Sequence, residues 1–181
     1  MLTIPRAPAR LRLPIERLWN GAACDRPIRA AVELCLAGEA LEVRAQLRQA
    51  EPPRLPGARP GTRVPGLWEY DVVECFLAGA GGRYLEIELG AGGHFLVLSF
   101  RARRVLEGAH ERLQPSVTYG GGPEGERWAA LRLPRSLLPA GLRAGNAFAI
   151  AGGRLLAWRP VPGERPDFHQ PERWPALRLA T

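Results

Sequence analysis

Glycine and proline interrupt this chain so often that no helix of ordinary length fits between them. Gly 21 and Pro 18 stand among 181 residues, so roughly one position in five weakens or breaks a helix. What lies between the breaks is short and alternates with period two. In residues 41–47, Leu41, Val43, Ala45 and Leu47 fall on one side and Glu42, Arg44 and Gln46 on the other, the pattern of a half-buried strand. Residues 31–36 precede it, and Ala37-Gly38-Glu39-Ala40 reads as the hairpin turn between them. The strongest runs are Trp68–Leu77, Arg83–Leu89 and His94–Phe100, separated by Gly79-Ala80-Gly81-Gly82 and Gly90-Ala91-Gly92-Gly93. That spacing predicts a three-stranded meander. The third run is apolar on both faces, which places it centrally or under cover on both sides. Further strands are expected at 116–119, 128–133, 147–151, 155–158 and 176–179.

Two segments read differently. Residues 101–113 could carry a helix weakened by Gly108, and 134–138 one helical turn with Pro134 in its first position. Residues 51–66 hold five prolines and three glycines and form a loop. Eight or more strands with turns every 8–12 residues or so predict an all-β, single-domain antiparallel β-sandwich over 1–181, jelly-roll-like in topology.

The chain has no lysine. All 25 basic side chains are arginine against 18 acidic ones, a net charge of +7. Schiff-base chemistry and the P-loop lysine are thereby excluded. The basic balance admits arginine-driven nucleic-acid binding, with Arg101-Ala102-Arg103-Arg104 suited to phosphate contacts or to a solvated strand end. Regularly spaced aromatics of the kind single-strand binders use are missing beside that run. No stretch approaches the roughly 18 apolar residues of a membrane span. Cys24, Cys35 and Cys75 are odd in number and form no C-x-x-C pair, which points to a reducing compartment. The first residues lack the apolar core of a secretory signal, so the expected location is cytoplasmic. Neither G-x-S-x-G nor H-E-x-x-H occurs.

Acidic and aromatic side chains concentrate in one region. Between Val64 and Gly90 lie Glu69, Asp71, Glu74, Glu86 and Glu88 against a single base, Arg83. Glu86 and Glu88 share one strand face, and Glu74 alternates with Trp68, Tyr70, Val72 and Phe76. Such carboxylates can accept hydrogen bonds from sugar hydroxyls, share a proton as acid and base, hold a divalent cation such as calcium, or pair with arginines. Pro166-Asp167-Phe168-His169 offers an imidazole with a nearby acid, read either as a base with its orienting group or as a loop tie. His94 follows a glycine-rich turn and is expected to face solvent. Trp68, Trp158 and Trp174 are candidates for stacking on a pyranose ring, with Tyr84 beside them, or for core packing.

Several blocks resemble a known family in order along the chain: Trp19-Asn20-Gly21 with Arg26-Pro27, then LWEYDVVECFL, YLEIELGAGGHFLVLSF, Ala147–Ile150, Pro160-Val161-Pro162 and Pro166–His169. The family is one of small uncharacterised proteins, from bacteria to vertebrates, with a fold similar to DOMON domains and family-nine carbohydrate-binding modules. The resemblance implies a β-sandwich of the sugar-module type.

Three functions are therefore carried forward. The first is a non-catalytic binding module for a carbohydrate or sugar-containing metabolite. Its contacts would come from Trp68, Glu69, Asp71, Glu74, Tyr84, Glu86, Glu88, Trp158, His169 and Trp174. The second is a small hydrolase or isomerase acting on a sugar derivative, with Glu74 and His169 as acid–base pair and Asp167 as their helper. The third is nucleic-acid binding through arginine. No cofactor is expected.

Overall fold

The computed structural model describes residues 1–180. Among them the regular structure is β-strand with short 3₁₀ turns. The alternating run at 41–47 becomes β5 (Ala40–Arg48), paired in antiparallel register with β4 (Arg29–Ala37) across the predicted turn. Beside them lie β2 (Leu11–Ile15), β11 (Glu126–Pro134) and β10 (Ser116–Gly121), giving a five-stranded sheet in the order β10-β11-β5-β4-β2. The meander is present as β6 (Val72–Ala78), β7 (Tyr84–Gly90) and β8 (Phe95–Ala102). It is extended by β9 (Val105–Gly108) on one side and by β12 (Ala144–Ala151), β13 (Arg154–Ala157) and β3 (Arg17–Leu18) on the other. All pairings within these two sheets are antiparallel.

The sheets stack through one apolar layer. Leu34, Leu41 and Val43 of the first sheet and Cys75, Leu77, Leu85 and Ile87 of the second share it, each Leu or Ile stabilising the fold by about 1.5–3 kcal/mol on burial. Their partners in alternation meet different fates. In β5 the outward residues are partly exposed, whereas in β6 and β7 every residue is buried. The seven-stranded sheet is thus covered on both faces, as the apolar third run required. The two layers are also joined at a corner: β1 (Leu2–Ile4) pairs in parallel with β14 (Leu177–Leu179). The chain after β1 bridges to Leu36 of β4, and Ala176 bridges to Ala144 of β12.

Four expectations are corrected. Residues 101–113 form no helix: Arg104 takes φ 57° and turns the chain back, so that β9 pairs with β8 through register shifts. The strand expected from Trp68 begins at Val72, because Gly66 at φ 72° opens a 3₁₀ turn over Leu67–Glu69. His94 does not face solvent. It is 2% exposed, and its Nε2 lies 2.9 Å from the Ala58 carbonyl, tying down the proline-rich loop. The strands β1, β2 and β3 were not expected, since Pro5, Pro8 and Pro14 obscure the alternation; Pro14 is tolerated because β2 is an edge. The single turn expected at 134–138 is present as Arg135–Leu137, with Pro134 just before its first residue rather than in it.

Candidate functional site

The face of β6–β8 turned away from the shared layer carries Val72, Glu74 and Phe76, then Tyr84, Glu86 and Glu88, then Leu96, Leu98 and Phe100. Left bare, so apolar a surface would be costly. Two irregular segments cover it, bringing Val64 and Leu67 from one side and Val161, Phe168 and Trp174 from the other. Phe168 stacks on Phe148 at 4.1 Å, and Trp174 packs against Phe76 and Tyr84. The cover is incomplete. It leaves a cleft of about 480 Å³, within the size range of small-molecule sites, floored by Glu74 and Glu86. Trp68, Leu98, Phe100, Leu106, Ile150, Leu155 and Phe168 wall it, and Arg104, Pro166, Asp167 and His169 complete it.

The floor is electrostatically unusual. Glu74 and Glu88 are opposite one another across β6 and β7, where like charges destabilise a sheet. Glu74, Glu86 and Glu88 are 2%, 4% and 0% exposed, and Arg103 and Arg104, the nearby arginines, form salt bridges with Asp167 instead. Both oxygens of Glu88 are sealed and lack a hydrogen-bond partner. Burial pushes the carboxyl of Glu86 up to about 8, against the opposing pull of Arg104. Burial and then the neighbouring carboxyls raise Glu88, and burial with Glu86 raises Glu74, well above the ordinary range. All three thus favour the protonated form near neutrality.

His169 sits against this floor, its Nε2 4.0 Å from Glu86 Oε1. Its Nδ1 is 2.8 Å from the Tyr84 hydroxyl, which also accepts the Arg104 backbone N–H at 2.9 Å. With the hydroxyl donating to Nδ1, the ring proton rests on Nε2, facing Glu86. Burial, reinforced by Arg104, lowers the imidazole to about 4, so it is neutral. Asp167 does not orient this ring. Its carboxylate accepts from Arg103 at 2.5 Å and Arg104 at 2.7 Å and from the His169 backbone N–H at 3.0 Å. Burial alone would raise Asp167, but these donors outweigh it and hold the group at about 2.

The remaining candidates divide. Trp68 lines the cleft and is 47% exposed, available to stack. Tyr84 lies beneath the cleft, 1% exposed, and acts through His169. Trp174 is buried in the second apolar layer, its Nε1–H donating to the Phe168 carbonyl, and Trp158 packs against the main core beneath Arg159. Neither lines the cleft. Asp71 is buried elsewhere, accepting from Gln49 Nε2 at 2.8 Å and from the Arg54 backbone, and Glu69 is exposed in the 3₁₀ turn. Within 4.0 Å of the imidazole the carboxyl is Glu86 rather than Glu74. Among the described residues no group of three His, Cys, Asp or Glu is arranged to hold a metal ion. Sequence reasoning missed Phe100, Arg104 and Phe168. The alternation of Phe100 with Leu98 and Leu96 carried a signal, and Phe168 lay inside the singled-out motif, but nothing local ties Arg104 to Asp167.

The structure can be set beside known ones. A crystal structure from Bacteroides uniformis, provisionally classed as carbohydrate-binding, superposes with a TM-score of 0.71 at 17% identity, covering 99% of this chain and 98% of that one. A family-nine carbohydrate-binding module from Caldicellulosiruptor kristjanssonii, in complex with cellotriose, gives 0.61 at 15% identity over 98% and 92%. The fold is therefore carbohydrate-binding-module-like. No family model matches the sequence. Curated relatives do: the UPF0462 protein C4orf33 homolog of Mus musculus is 34% identical over 171 residues, 87% of this chain and 86% of the relative. The Homo sapiens protein C4orf33 is 31% identical over 180 residues, 92% and 87% of the two chains. On those identities and that coverage, this chain belongs to the UPF0462 C4orf33 family.

Proposed function

We propose that the cleft over Glu74 and Glu86 binds a saccharide or a sugar-containing metabolite without transforming it. One observation carries this reading: two buried carboxyl groups, without a hydrogen-bond donor among the described residues, floor an open cleft whose walls are aromatic and aliphatic. A pyranose supplies what this arrangement lacks, hydroxyl groups for the floor and apolar C–H faces for Trp68, Phe100 and Phe168. Protonated carboxyls can both donate to and accept from such hydroxyls. The likeness in fold to a module seen with cellotriose supports the same reading. Calorimetric titration of the protein with a panel of mono- and oligosaccharides tests it. Binding in the millimolar range or tighter is expected, and Trp68→Ala should weaken it by about tenfold or more, near 1.4 kcal/mol. Because Trp68 is half-exposed, its melting temperature should change by only a few degrees. No heat of binding with any saccharide at millimolar concentration overturns the reading.

A second reading rests on the pair Glu86 and His169. A carboxyl held protonated and an imidazole held neutral, 4.0 Å apart in one cleft, are the opposed titrations of a general acid and a general base. Slow turnover of a chromogenic glycoside that is lost in Glu86→Gln would favour it over simple binding.

A further inference from the structure

We infer that the group seated deepest in this cleft is a primary ammonium, so that the saccharide it takes is an amino sugar with a free amine. The inference rests on the saccharide reading above. Glu74 and Glu86 line the cleft at 2% and 4% exposure, and among the described residues no side chain donates a hydrogen bond to them. Glu88, opposite Glu74 in the register, does not line the cleft, but its two sealed oxygens also lack a donor. Two acidic groups thus face the cleft with a third sealed beside them, and the cationic side chain that lines it, Arg104, is committed elsewhere. Arg104 turns its guanidinium to Asp167, and His169 presents a neutral ring held by Tyr84. From β12 and β13 come only the apolar Ile150 and Leu155.

A metal ion is not suited to this floor, where no three ligating groups have the needed arrangement among the described residues. A sugar hydroxyl offers one hydrogen per oxygen. An ammonium offers three N–H donors from one point, for a floor that carries two carboxyls, and its charge favours the ionised form of the carboxyl it meets. The walls suit it too, since Phe100, Phe168 and Trp68 present rings whose faces attract cations. The proton balance is explicit. The carboxyls hold protons in the empty cleft, and when the ammonium enters, a floor carboxyl releases its proton to solvent and forms the ion pair.

Calorimetry on the wild-type protein at pH 7 with D-glucosamine, D-glucose, N-acetyl-D-glucosamine and ethanolamine decides the matter. Glucosamine should bind at least tenfold more tightly than glucose or the acetylated sugar. Its heat should differ between phosphate and HEPES buffers, reporting the released proton. Glu86→Gln and Glu74→Gln, each checked for an unchanged circular-dichroism spectrum, should erase both the preference and the buffer dependence. Equal affinity for glucose and glucosamine overturns the inference and leaves saccharide binding standing. Ethanolamine binding as tightly as glucosamine keeps the ammonium and overturns the saccharide reading. Absence of binding by all four overturns both.

Discussion

Glu88 is tolerable in its surroundings only while it carries a proton, because both carboxyl oxygens are sealed and receive no donor. The same holds in lesser degree for Glu74 and Glu86, and it makes stability depend on pH. Above the ordinary glutamate value of 4.5 the unfolded chain releases these protons, while the folded chain keeps that of Glu86 until about 8. The native state therefore binds more protons in that window, and stability falls as pH rises, by about 1.4 kcal/mol per pH unit for each fully shifted carboxyl. His169 opposes this between its folded value of about 4 and the ordinary 6.5, where the unfolded chain binds the extra proton. The net fall should be steepest from pH 6.5 to 8. Scanning calorimetry should show the melting temperature dropping across that interval, and Glu86→Gln should flatten the slope. A melting temperature constant from pH 6.5 to 8 would contradict the burial of protonated acids.

At the level of strands and turns, most of the sandwich could be read in advance. The glycine-rich separators and the period-two runs marked β4 to β8 to within a few residues, because alternation is a local property and one sheet face is always core. What escaped depends on contacts far along the chain. The strands near the start hide behind prolines that only an edge position permits, and much of the cover over the second face comes from residues around 158–176, which have no period. For the site, the concentration of Glu74, Glu86 and Glu88 was visible. Their fate was not: in a chain with 25 arginines, pairing was the plainer expectation, and only the fold shows that Arg103 and Arg104 go to Asp167 instead. Turns also differ in what they tolerate. A Cβ at Gly79, just after β6, would lie 2.4 Å from the Ala140 carbonyl oxygen and 2.8 Å from Pro139 Cβ, so backbone must move. Gly79→Ala should cost about 1–3 kcal/mol in urea unfolding. Gly38→Ala in the β4–β5 turn meets nothing within 4 Å and is limited to the strain of φ 61°, about 1 kcal/mol. Equal losses at the two sites would contradict the packing described.

The molecule as a whole gives its two outer faces different work. The five-stranded sheet turns polar and charged side chains to water. The seven-stranded sheet hides much of its far face under irregular chain and leaves a cleft there. Between the layers, at a corner, the first and last strands lie side by side in parallel, with Leu2 N–H donating to the Ala176 carbonyl and Ala180 N–H to that of Ile4. Their direction has a mechanical consequence. Tension on the two ends of the chain slides these strands past each other in shear, so their cross-links resist together, whereas tension on residues 29 and 48 would peel β4 from β5 one link at a time. In an optical trap the end-to-end geometry should therefore rupture at the higher force.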